Sequence, residues 1–209
     1  MTIIKETGSK FDLYNINGMR VVVIAFGLLC GLTGVLTGIF EIPRGTVPLV
    51  TITSDILLTG ILAIVISCSV IIWVLGFIHR KYGAIIFLGL SILQLLFVGG
   101  EPVIDLATLT CILATRINKP LNWWRLNLPE NLRFWFAKLF PFSLLCYVII
   151  SSSMLILSIL SINNEALSDL NIILAAAFFI PIVLMIFGGL AHDIQKQINT
   201  LLVDLALLD

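Results

Sequence analysis

The sequence predicts an all-α, polytopic transmembrane bundle with six spans, both termini on the cytoplasmic side, and cytoplasmic interfacial amphipathic segments. Three observations lead there. Hydrophobic residues make up 59% of the 209 positions and charged residues 11%, against about 45–50% and about 25% in ordinary soluble domains. Uncharged runs near the ~20 residues that a membrane helix needs recur along the chain. Eleven of the 12 Lys and Arg residues fall on one side if the chain crosses six times, leaving Arg44 alone on the other. That asymmetry is what the positive-inside rule describes.

The first span is expected over 21–40, between Arg20 and Glu41. It is too long for a signal h-region and no small-residue cleavage site precedes it, so it is expected to be retained. Gly27, Gly31, Gly34 and Gly38 are spaced four, three and four apart, which puts them on one narrow stripe of a helix. Such a stripe lets a second helix approach closely where lipid supplies no hydrophobic drive. It reads as a packing seam inside the bundle, with a homodimer face as the rival.

The second and third spans are expected over 56–78 and 82–100, separated by His79, Arg80 and Lys81. The fourth, 102–117, is short and carries Asp105. Its 16 residues rise about 24 Å, under the roughly 30 Å of the hydrocarbon core. A re-entrant loop is the competing reading. It would invert everything downstream and leave 5 basic residues inside and 7 outside, so charge favours a full but short or tilted crossing.

Between the fourth and fifth spans lies LNWWRLNLPENLRFWFAK. Trp123, Trp124 and Trp135 alternate with Arg125, Arg133 and Lys138, a combination suited to anchoring at anionic headgroups on the cytoplasmic face. The fifth and sixth spans are expected over 139–162 and 170–191, with Pro181 inside the latter. Residues 1–191 then form one transmembrane bundle domain. Ile194, Ile198, Leu201, Leu202, Leu205 and Leu208 recur at helical spacing, predicting a cytoplasmic amphipathic helix over 192–209.

Chemistry is sparse. Zero formal net charge, with the basic residues grouped by membrane side, gives no sign of nucleic acid. Cys30, Cys68, Cys111 and Cys146 lie in apolar runs without metal-ligand spacing, so they read as packing residues. His79 and His192 read as cations at helix C-termini rather than haem ligands. Ser151, Ser152, Ser153 and Ser158 have no intramembrane base to activate them. No catalytic residue, metal or cofactor is assigned.

The outer face gathers Glu41, Asp55, Glu101 and Asp105 around Arg44. Asp55, Glu101 and Asp105 fall near expected helix N-termini, where carboxylates are favoured. Glu41 instead ends a helix, and Glu101 and Asp105 stand four apart, where like charges face each other. The set is therefore a candidate cation or proton site as well as a group of interfacial caps.

Read in order, GIFEIPRGTVP, LLTGILAIV, the Trp73 span, HRKYGA, LFVGG, ATRINKPLNWWR and FAKLFPFS resemble an uncharacterised family of small prokaryotic polytopic integral membrane proteins, known as hypothetical proteins. The resemblance runs from about Gly38 to His192 and implies a multi-pass protein of a prokaryotic cell membrane. It brings no activity or cofactor. Similar proteins carry a longer first outer loop and further glycine after the Gly99-Gly100 pair. Here Glu101 and Pro102 follow directly, so the acidic group is a feature of this chain.

The expectation is thus a non-enzymatic accessory or scaffold protein. Its partners would be membrane lipids and either further copies of itself or another membrane protein. The alternative is a small cation- or proton-coupled transporter using the outer acidic residues. A lipid-acting enzyme comes third, without a nucleophile to name.

Overall fold

The computed structural model describes residues 17–44, 56–80, 82–98, 101–117, 124, 128–160 and 165–206. Side chains at 41–44, 56, 98, 101–104, 158–159, 165–168 and 200–206 lie outside the description. Among the described residues the chain is wholly helical: α1 (Gly18–Arg44), α2 (Ile56–Gly76), α3 (Gly83–Val98), α4 (Glu101–Ala114), α5 (Glu130–Leu160) and α6 (Glu165–Ala206). Four of these are long and apolar enough to cross a membrane, within Gly18–Phe40, Leu57–Gly76, Glu130–Leu157 and Asp169–Asn199. The helices α3 and α4 are apolar but short, at 16 and 14 residues. Their rises are about 24 Å and about 21 Å.

Apolar side chains cover the outside as well as the core. Leu58, Ile61, Val65, Ile72 and Leu75 on α2 are exposed, as are Phe142, Leu145 and Ile149 on α5. Buried on both faces or facing outward, such helices have no polar side to turn to water, which is the pattern of segments solvated by lipid.

Helix α1 is the hub. It packs on α2, α4 and α6, while α3 lies against α2 and α4. The pair α5 and α6 forms the most extensively packed hairpin and reaches the rest chiefly through α1. Met19, Val22, Val23, Phe26 and Cys30 on α1 are buried against Val70, Val74, Phe87, Tyr147, Met185 and Ile194 from other helices. The α2–α3 turn is fixed by Trp73 Nε1 donating to Gly83 O at 3.0 Å. Glycine is required there, since a Cβ on residue 83 would lie 2.5 Å from Phe77 O.

Two boundaries differ from the sequence expectation. Helix α5 begins at Glu130, so the second half of the aromatic-basic segment is the first turns of the fifth helix rather than a separate interfacial element. Arg133 N donates to Pro129 O at 3.0 Å, and no breaker intervenes before Pro141. A proline has no N–H to donate, yet α5 passes through Pro141 without ending. At the other end, α6 runs unbroken for 42 residues through His192 to Ala206. Residues 192–206 therefore extend the last helix instead of starting a new one, because no glycine or proline follows Gly189 to stop it. His192 is consequently inside a helix and not at its C-terminus.

Candidate functional site

The glycine seam of α1 faces α2 and α3. A Cβ on Gly27 would come within 2.5 Å of Val74, and one on Gly38 within 2.9 Å of Ile64 and 3.0 Å of Gly60 O. At Gly31 it would overlap Ile71, and at Gly34 the side chains of Gln94 and Ser67. Each glycine is thus matched to a particular neighbour, and the close approach of the helices depends on the missing Cβ.

Gly34 opens room for a polar group in the middle of the bundle. Gln94 is fully buried and donates from Nε2 to Cys30 O at 2.8 Å, joining α3 to α1. Among the described residues its Oε1 and the buried hydroxyl of Ser67 make no hydrogen bond. Because Cys30 O can only accept, the amide is held with its nitrogen toward α1. Elsewhere in the bundle several hydroxyls bond back along their own helices. Thr33 bonds Leu29 O, Ser91 bonds Phe87 O and Ser151 bonds Val148 O, at 2.9, 2.9 and 3.1 Å. Such bonds satisfy a hydroxyl locally and leave it with no activating base.

Two side chains of the hairpin, Tyr147 and Asp193, hydrogen-bond α1. Tyr147 OH donates to Ala25 O at 3.3 Å, with the tyrosine ring 5.3 Å from Phe26 and 5.1 Å from Phe178. At the N-terminus of α1, Asp193 accepts from Gly18 N at 2.5 Å and Met19 N at 3.0 Å. A carboxylate from α6 therefore caps α1, satisfying two of the backbone donors that a helix start leaves open. It also places negative charge at the positive end of the helix dipole. A Cβ on Gly18 would lie 2.9 Å from Gly189 O, so both glycines are needed for the carboxylate to arrive. Lys196 Nζ adds a bond to Asn17 Oδ1 at 3.3 Å. Sequence reasoning missed Asp193, whose partners are 175 and 174 residues away. The glycine pair just before it was the available signal.

The aromatic-basic set divides. Trp124 packs edge-on to Phe187 at 6.0 Å, and Phe136 stacks on the same ring at 5.7 Å. Trp135 and Lys138 are exposed. Arg133 has 15% of its side chain exposed and meets Glu130 at 4.0 Å. Trp123 and Arg125 lie outside the described residues.

Of the outer acidic set, Glu41 and Arg44 are on the last turn of α1 and Glu101 opens α4, their side chains beyond the description. Asp55 lies outside the described residues. Asp105 is described and exposed, one turn into α4. Among the described residues no group of three His, Cys, Asp or Glu side chains is arranged for a metal ion.

No family model, curated protein or solved structure matches this chain.

The geometry alone therefore speaks to function. Gln94, Tyr147 and Asp193 join helices and most of the described hydroxyls bond their own backbone, and a shallow groove of about 320 Å³ is lined by four residues of α6, Phe179, Ile180, Val183 and Leu184. Such a groove offers van der Waals contact and no polar group to orient a small molecule.

Proposed function

We propose that this chain is a six-span protein of a prokaryotic cell membrane, with both termini cytoplasmic, that acts as a non-enzymatic accessory or scaffold for another membrane component. The observation that carries the reading is the use of buried polar groups. Gln94, Tyr147 and Asp193 each fasten one helix to another, and Ser69, Ser91, Ser143, Ser151 and Ser153 bond carbonyls of their own helices. These are the features of a bundle built to hold a shape. The basic residues segregate 11 to 1 if α3 and α4 both cross and equally if neither does, so the six-span count rests on the apolar character of those two short helices. Thinning of the bilayer around two short helices accommodates that at modest cost. Exposed Trp135 and Lys138 at the start of α5 suit contact with anionic headgroups on the cytoplasmic side.

The competing reading is cation or proton transport through Glu41, Arg44, Asp55, Glu101 and Asp105. Purified protein reconstituted in vesicles with a pH-sensitive or cation-sensitive dye separates the two. A scaffold gives no flux above empty vesicles. A saturable flux that Asp105→Asn or Glu41→Gln abolishes, with the fold intact, would replace the scaffold reading with transport.

A further inference from the structure

The outward face of α4 carries charged and hydroxyl side chains, unlike that of α2. Its exposed positions are Asp105, Thr108 and Ile112, and the exposed Thr115 and Arg116 of the turn that follows continue the same stripe. The opposite side, Ala107, Thr110 and Leu113, is buried where α4 meets α1 and α3. By contrast, the exposed stripe of α2 is Leu58, Ile61, Val65, Cys68, Ile72 and Leu75. One face suits lipid. The other does not.

Depth makes the conflict sharper. With the bilayer thinned to about the 21 Å length of α4, Arg116 at the inner end reaches headgroups, while Asp105 stays one turn, about 6 Å, inside the outer end of the helix. Arginine can snorkel several ångströms on its long stem, but aspartate has almost no reach. Asp105 also lies beyond the first turn of α4, where helix-dipole stabilisation fades. Ionisable side chains at membrane depth face a protein interior or water, not lipid. Asp105 faces outward from this bundle, so the interior it belongs to is that of an assembly.

The charges state what the covering surface must carry. A second copy packed α4 to α4 in the same orientation would set Asp105 against Asp105 and Arg116 against Arg116, which is unfavourable on both counts. A copy turned end for end would pair them, but the one-sided basic residues forbid that orientation in the bilayer. We infer that the outward face of α4 docks a transmembrane helix of a different membrane protein. That helix carries a cationic side chain near its outer end, opposite Asp105. Thr108 and Thr115 lie along the contact, with Thr115 already bonded to Ile112 O at 2.7 Å. This identifies where the proposed scaffold engages its partner, and it rests on α4 being a true crossing.

The test uses the full chain in phosphatidylcholine vesicles and a synthetic transmembrane probe. Two leucine-alanine peptides are compared, one bearing a lysine one turn inside its end and one with leucine there. Energy transfer from labelled protein reports association. The lysine peptide should bind roughly three- to twenty-fold more tightly, the range of an interhelical polar contact in lipid, and Asp105→Asn should erase the difference. Equal binding of the two peptides, or a preference that survives Asp105→Asn, overturns the docking face. Energy transfer between copies of the protein that is lost in Asp105→Asn would overturn it in favour of self-association. A separate measurement checks the crossing itself: Ile112→Cys should resist a water-soluble maleimide from both sides. Rapid labelling there would defeat the crossing of α4, a failure distinct from loss of peptide preference.

Discussion

A single missing Cβ governs the most crowded point of the bundle. At Gly34 a methyl group would take the space of both Gln94 and Ser67, and neither can withdraw without breaking the bond to Cys30 O or rotating into a packed wall. Gly34→Val is expected to cost about 1–3 kcal/mol through overpacking, read as a fall in thermal stability in detergent. Gly89, with nothing within 4 Å of its would-be Cβ, predicts the reverse. Gly89→Ala should stabilise by about 0.5–1 kcal/mol, because helix glycine carries an entropic cost that alanine does not. Gln94→Leu removes one interhelix bond and one unpaired oxygen together, so it should change stability by less than Gln94→Ala, which also leaves a cavity. The glycine stripe could be read from the sequence because small-residue spacing is a local pattern. What it packs against could not, since Ser67 and Gln94 enter from two other helices.

Among elements, α1 depends on a group that it does not contain. Asp193→Ala should uncap its N-terminus at a cost of about 1–2 kcal/mol and speed hydrogen exchange at Gly18 and Met19. Unchanged protection at those two amides would mean that another acceptor replaces the carboxylate. Asp193→Asn keeps one acceptor oxygen and should lose less. The extents of α5 and α6 were the least legible features. Hydropathy marks where a helix enters lipid, but a helix continues past that point until a breaker stops it. Nothing does so between Pro129 and the apolar stretch of α5, or between Gly189 and Ala206. Hydropathy did mark the four long apolar helices and the two short ones, because uncharged length is visible in any single stretch of chain.

For the whole molecule, orientation and division are the measurable properties. Reporter fusions at residue 1 and residue 209 should both score as cytoplasmic, and one after Arg44 as external. An external C-terminus would exclude six crossings. The hairpin of α5 and α6 touches the rest chiefly along α1, so the chain is expected to tolerate a cut between α4 and α5. Co-expressed fragments 1–120 and 121–209 should copurify, and Asp193→Ala should weaken their association by about ten-fold, the equivalent of roughly 1.4 kcal/mol. The same carboxylate also sets a clock. Ribosomes add about 5–20 residues each second, and Asp193 follows Gly18 by 175 residues. For roughly ten to thirty-five seconds the first helix waits in the membrane with its leading amides open, available to the insertion machinery, and closes only when the last helix arrives.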